Sequence, residues 1–314
     1  MRTMLIIGAT GLLGTNVCLQ ADGTYDVYGM ARGSTAFPPG CTPIRLDVTE
    51  GEATLRCLNE VGPQVILHCA AMTNVERCEA EPKAARLLHV EASRNLAKWA
   101  VGHGGTFVYI STDSVFDGQS GNYNEEDSPA PLNEYARTKL AGEIAARLAH
   151  PSALILRTNF YGSKGAGNPS LAEWMLGKLQ SGQRIKAFAD VRFNPLLARY
   201  LAKVILELIA RGATGTFHVG ARNACSKYEF AVQLARIFGF DSERVVSISV
   251  DQFPFEARRP KNTTLAVEKI CRILATTMPS VEDGLSELKN MLTQDSAAIR
   301  KSRLSELHSA VDAR

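Results

Sequence analysis

The stretch "MLIIGATGLLGTN" (residues 4–16) decides the architecture. Its first half, "MLIIG" (4–8), is a continuous apolar run of the kind found in a strand buried on both faces. A helical pattern follows over 12–21. Between them stand Gly8, Gly11 and Gly14 at GxxGxxG spacing. A lone glycine motif also fits a tight structural turn. Here it follows the first strand and opens the first helix, the context that a dinucleotide site requires. Gly8 permits the turn, Gly11 lets the backbone approach a pyrophosphate, and Gly14 lets the helix pack closely on the sheet. The helix N-terminus then offers free N–H groups and a positive dipole end to phosphate. Thr10, Leu12 and Leu13 complete the candidate loop.

Outward from this stretch, apolar runs alternate with helical patterns. Strands are predicted at 25–31, 42–48, 64–71, 105–111 and 153–158, with helices at 50–61, 82–102 and 132–149. Such alternation predicts an α/β fold, a doubly wound parallel sheet of the Rossmann type, over residues 1–160. After about residue 160 the rhythm changes. Helical patterns at 169–181, 197–211, 226–239 and 282–293 are separated by short strand candidates at 185–188, 216–219 and 245–250. This predicts a smaller, mixed substrate-binding lobe over 161–294, with parts of the C-terminal half completing the first domain. The last residues, 295–314, read as a polar tail.

The 314 residues are 45% apolar and 21% charged, with a formal net charge of +3. That balance argues against nucleic acid or a membrane surface as partner. The N-terminal apolar run is too short for a signal peptide, and no stretch is long enough for a transmembrane helix. The seven cysteines have neither CxxC nor metal-ligand spacing and read as reduced thiols. A cytoplasmic protein without a metal site is expected.

The end of the second strand selects the dinucleotide. An acid there would bond the adenosine ribose hydroxyls and favour NAD. This chain has "YGMARGST" (28–35), with Arg32 in that place. A guanidinium can take a 2′-phosphate by bidentate contact, which favours NADPH over NADH, although NADH is admitted. Arg32 as a plain surface charge is the alternative. Asp47 and Val48 could flank the adenine, or Asp47 could be a turn residue.

Two further segments carry chemistry. "YISTDSVFDG" (109–118) sets Ser111, Thr112 and Asp113 at the mouth of an apolar strand, and "EYARTKLAGE" (134–143) sets Tyr135 and Lys139 at i, i+4. On a helix that pair shares a face. A tyrosine near its ordinary pKa is a weak acid or base at neutral pH, and a neighbouring ammonium is expected to lower that pKa. Tyr135 would protonate a carbonyl oxygen as hydride reaches its carbon. Thr112 would hydrogen-bond the same oxygen, with Ser111 as its neighbour. Lys139 could also hold the nicotinamide ribose.

With these residues in place, the chain resembles an extended short-chain dehydrogenase/reductase, and more narrowly the dTDP-4-dehydrorhamnose reductase family. The carrying segments are "GATGLLG" (8–14), "HCAAMTNVERCEAEP" (68–82), "STDSVFDG" (111–118), "YARTKLAGE" (135–143), "LRTNFYG" (156–162) and "RRPKN" (258–262). The resemblance implies Thr112, Tyr135 and Lys139 as the catalytic triad, and Cys69, Ala70 and Ala71 beside the cofactor. It also implies a C-terminal lobe for a nucleotide-sugar. The reaction implied is reduction of a 4-keto group on a nucleoside-diphospho-6-deoxyhexose by NAD(P)H.

The departures fall mostly on the sugar side. "HCAA" replaces Asn-Ala-Ala, and Phe160 stands where relatives carry tryptophan. "RFNPLL" (192–197) stands where a Gly-x-Pro-Thr stretch is usual. Asp113, Phe160, Arg192 and Arg259 are the candidate substrate contacts. Arg192, like Arg258 and Arg259, pairs with a diphosphate or is a lobe-surface charge. An epimerase or dehydratase with bound NAD is disfavoured by Arg32 and by Ser114, where a dehydratase would carry Glu. A regulatory subunit that binds a dinucleotide without turnover is the remaining alternative. The scaffold commonly forms homodimers, though no interface signature is visible.

Overall fold

Seven parallel strands form the central sheet of the computed structural model, which describes residues 1–163 and 169–294. They are β1 (Arg2–Ile7), β2 (Tyr25–Ala31), β3 (Thr42–Arg45), β4 (Val65–His68), β5 (Thr106–Ile110), β6 (Leu154–Thr158) and a seventh at Gly215–Val219. Their spatial order is β3-β2-β1-β4-β5-β6 and then the seventh strand. β1 pairs with β2 on one side and β4 on the other, with Ile7 opposite both Met30 and His68. The order reverses at β1, so a crevice opens at the C-terminal ends of β1 and β4, where such sheets bind ligands.

β1 shows why Met4–Ile7 are all apolar. Met4 and Ile6 face one layer, with Leu13 and Val17 of α1 (Leu12–Ala21) and Leu201 and Ile205 of a later helix. Leu5 and Ile7 face the other, with Leu58, Leu96 and Trp99. From Met4 to Ile7, period-2 alternation therefore buries every side chain rather than every second one. The second layer is built from α2 (Gly51–Val61), α3 (Val75–Ala80), α4 (Pro82–Arg86), α5 (Ala92–Gly102) and α6 (Glu134–Ala149). The helix predicted over 82–102 is α4 and α5 joined through a wider π-type turn, Leu87–Glu91, with His89 at its centre. α3 was not expected. It is started by Asn74, whose side chain accepts the Arg77 N–H.

Two elements of the second half belong to the central sheet and its cover. The strand predicted at 216–219 is the seventh strand of the central sheet, paired with β6. The helix predicted at 197–211, here Ala198–Ala210, packs on α1 in the sheet's own core. Strand Gly215–Val219 buries both of its faces, so it needs a sheet with cover on both sides, and only the central sheet supplies that. The remaining elements have their own core. Helices Leu171–Gln180, Lys227–Phe238 and 281–294 enclose Met175, Phe193, Phe230, Leu234 and Leu285, beside the parallel pair Ile185–Phe188 and Val245–Ile248. The expected polar tail, 295–314, lies outside the described residues. Among the described residues no helix is long and apolar enough to cross a membrane.

Candidate active site

A cleft of about 790 Å³ runs along the C-terminal ends of β1, β2, β4 and β5. It is lined by the whole glycine loop expected to hold a dinucleotide (Gly8, Thr10, Gly11, Leu12, Leu13 and Gly14) and by Arg32, Asp47 and Val48 at one end. Cys69, Ala70 and Ala71 form its middle wall, and Thr112, Tyr135, Lys139 and Phe160 its far end. Residues spread over 150 positions of sequence thus share one concave surface.

The loop fits a pyrophosphate. Gly8 has φ +86°, and a Cβ there would lie 2.8 Å from the Ala70 backbone nitrogen. Any side chain at Gly14 would run into the Gly8 carbonyl. Gly11 caps α1 without a side chain, so the first N–H groups of the helix remain open.

At the end of the cleft beside β2, Arg32 lies 3.5 Å from Asp47, and its side chain is 67% exposed. Asp47 accepts hydrogen bonds from the Thr49 N–H (3.0 Å) and hydroxyl (2.7 Å). Burial raises the Asp47 carboxyl, but the Thr49 bonds and the Arg32 guanidinium outweigh it and hold the pKa below the usual value. Arg32 is therefore an exposed cation at the cleft's edge, tied only to a partner that is already satisfied by Thr49.

At the chemical end, Thr112 starts the short helical turn Asp113–Val115, accepting the Ser114 N–H at 3.2 Å. Tyr135 stands in the first turn of α6. Asn133 caps that helix by accepting the Ala136 N–H, and its amide donates to the Arg258 carbonyl at 2.9 Å. Lys139 lies one turn on, donating to the Ile110 carbonyl at 2.6 Å, with its ammonium 4.0 Å from the Tyr109 ring centroid. Burial pushes Lys139 down to about 7, against the pull of the Glu143 carboxylate.

The expected lowering of the Tyr135 pKa by Lys139 does not hold in this geometry. Burial pushes the phenol up to about 12, the adjacent Thr112 hydroxyl pulls it back, and the Asp113 charge raises it further. An ammonium that is itself destabilised by burial is a weak activator, and desolvation of the phenolate wins. Tyr135 is a protonated donor at neutral pH.

Asp113, expected at the substrate, is 2% exposed. Its carboxylate accepts from Thr112 (3.1 Å), Ser114 (3.2 Å), Asn159 (3.0 Å) and Thr263 (2.7 Å). With four protein donors it orients Thr112 rather than offering a free oxygen. Arg192 and Arg259 line a separate cavity of about 670 Å³, together with Arg258, Lys261, Phe253 and Phe255. Arg192 is half exposed and 3.5 Å from Glu229. Arg259 is bound to Glu76 at 2.7 Å, with its guanidinium over the Phe255 ring at 4.6 Å.

Several residues of this site escaped the sequence reading. Glu143 and Arg157 form a buried ion pair, 2.8 Å at its shortest, and Ser111 donates to the same carboxylate. Asn159 follows β6 and Thr263 follows "RRPKN"; only their place beside quoted segments hinted at them. Lys227 holds its ammonium 3.2 Å from the Phe193 ring centroid, and burial pushes it down to about 8 despite the nearby Asp113 charge.

The family model of the RmlD substrate binding domain matches residues 1–294. The chain belongs to that family. It is 33% identical over 290 residues to the probable low-salt glycan biosynthesis reductase Agl14 of Haloferax volcanii, covering 90% of this chain and 96% of that protein. It is 35% identical over 281 residues to methionine adenosyltransferase 2 subunit beta of Mus musculus, covering 86% and 81%. Among solved structures, the dTDP-4-dehydrorhamnose reductase of Bacillus anthracis in complex with NADP superimposes with a TM-score of 0.82 at 30% identity, covering 93% of this chain and all of that one. The reductase of Clostridium acetobutylicum gives the same TM-score, identity and coverage. The RmlD-type chain described here is an oxidoreductase of the extended short-chain dehydrogenase/reductase fold.

Proposed function

We propose that this protein reduces the 4-keto group of a nucleoside-diphospho-6-deoxyhexose with NADPH. The observation that carries the reading is the meeting of Thr112, Tyr135 and Lys139 in the cleft that also holds the glycine loop. NADPH, when bound along that cleft, supplies the hydride. Tyr135, kept protonated by its burial, hydrogen-bonds the carbonyl oxygen and gives it a proton as the carbon is reduced. Thr112 binds the same oxygen once its single hydroxyl proton turns from Asp113 to the substrate, while the Ser114 N–H keeps the hydroxyl oxygen in place. Lys139 lies on the same face of α6 as Tyr135 and carries positive charge into the site. The second cavity offers guanidinium groups for a diphosphate and phenyl rings for a base. Arg32, at the end of the cleft opposite Tyr135, would take the 2′-phosphate, and the NADP complex of the Bacillus anthracis relative supports that choice.

The test is to follow NADPH, and separately NADH, by absorbance after adding a dTDP-4-keto-6-deoxyhexose. Rapid loss with NADPH and slower loss with NADH is the expected result. No loss with either, despite tight cofactor binding, overturns the assignment. It would favour a second reading, a dinucleotide-binding subunit without turnover of its own; the likeness to a protein named as a subunit, methionine adenosyltransferase 2 subunit beta, keeps that reading in play.

A further inference from the structure

His89 is fully buried in the π-type turn between α4 and α5, and both of its ring nitrogens are engaged. Nε2 accepts the Met72 N–H at 2.9 Å, so the ring proton sits on Nδ1. Nδ1 then donates to the Thr138 hydroxyl at 2.9 Å. The Thr138 hydroxyl in turn donates to the carbonyl of Glu134 (2.8 Å) or of Tyr135 (3.0 Å). The His89 ring also meets the Tyr135 ring edge-on, with centroids 5.9 Å apart. Met72 and its neighbours Ala70, Ala71 and Thr73 form the cleft wall between the glycine loop and the catalytic end. Thr138 stands between Tyr135 and Lys139 on α6. One neutral imidazole thus joins the wall of the dinucleotide cleft to the helix that carries the proton donor.

We propose that His89 is a positioning residue that clamps the cofactor-facing loop 70–73 to the Tyr135–Lys139 helix, so that cofactor and proton donor keep one spacing. The inference rests on the dinucleotide-binding reading above. The two nitrogens have separable duties. The Nε2 bond holds the loop and sets cofactor affinity. The Nδ1 bond holds α6 and sets turnover.

Two substitutions divide these duties. In His89→Asn the amide reaches the place of Nδ1 but not that of Nε2. In His89→Gln it reaches the place of Nε2 but not that of Nδ1. NADPH fluorescence titration of the full chain should show affinity about tenfold weaker in His89→Asn and near wild type in His89→Gln. Exchange of the Met72 amide hydrogen should quicken in His89→Asn alone. With a reducible sugar nucleotide in hand, kcat should fall in His89→Gln while KM for NADPH holds. Equal losses in both variants that track their melting temperatures overturn the clamp, leaving His89 a filler of the core. Unchanged NADPH affinity and unchanged Met72 exchange in His89→Asn overturn it too. Failure of the wild-type chain to bind NADPH is a different result, because it sinks the dinucleotide reading itself.

Discussion

The Thr263 hydroxyl donates a 2.7 Å hydrogen bond to the carboxylate of Asp113, 150 residues earlier in the chain. Asp113 in turn accepts the hydroxyl of Thr112 on its other oxygen. The segment that also lines the arginine-rich cavity therefore reaches Thr112 through one buried carboxylate. Thr263→Val should remove one of four donors from Asp113. A stability loss of about 1–2 kcal/mol is expected in urea unfolding, with kcat falling further than cofactor affinity. Wild-type kcat in that variant would detach Thr263 from the orientation of Thr112.

Tyr135→Phe should abolish reduction and leave NADPH binding close to wild type, because the phenol's hydroxyl and not its ring is assigned to chemistry. Single-turnover measurement with bound NADPH checks this. Substantial residual reduction would take Tyr135 out of the proton path.

Arg32→Asp places an acid where the 2′-phosphate would sit. NADPH should bind about tenfold more weakly or worse, while NADH affinity holds or improves. An unchanged ratio of the two dissociation constants would show that the exposed guanidinium does not read the phosphate.

The pH dependence follows from Lys139, which burial holds at about 7. Below that value the ammonium is present, and above it the site loses its positive charge. Tyr135, at about 12, stays protonated throughout. The groups facing Lys139 are Glu143, His68, His89, Cys69 and Tyr109. His68 and His89 are held neutral by burial, near 3 and 2, so neither supplies a competing step near neutrality. Reduction should decline as pH rises through about 7, and Lys139→Met should flatten that limb. The same shift has a consequence for stability. The unfolded lysine, near 10.4, keeps a proton that the folded one gives up, so this group makes folding more favourable as pH rises from about 7 to about 10. A rate profile that is flat between pH 6 and 9 would contradict the assignment of charge to Lys139.

Glu143→Ala should cost about 3–5 kcal/mol, because it strands the Arg157 guanidinium in the core beneath the site. Thermal and urea unfolding measure this directly. A change below about 1 kcal/mol would mean that water or another acceptor replaces the carboxylate.

Much of the fold was legible in the strand–helix rhythm, since a strand covered on both faces must be apolar at every position and a helix at its surface must not. That the glycine loop, Thr112, Tyr135 and Lys139 meet along one cleft was legible for a similar reason. Their chemistry depends on short spacings, such as a turn at a strand end or one helical turn between two side chains. The role of Asp113 was not. An aspartate beside a catalytic hydroxyl looks like a substrate ligand until its four donors are seen, and two of them, Asn159 and Thr263, are far away in sequence. Nor could spacing reveal that burial would raise Tyr135 against the pull of its own lysine, because desolvation is a property of everything packed around a group.

What the chain determines locally is therefore the parallel sheet, its glycine-rich turn and the Tyr–Lys pair, since each follows from neighbours a few residues apart. Only the tertiary structure decided that Gly215–Val219 closes the central sheet, that Asp113 is saturated, and that His89 bridges Met72 in the cleft wall to α6. Those outcomes depend on hydrogen-bond partners and burial supplied by distant segments, which meet only when the core excludes water.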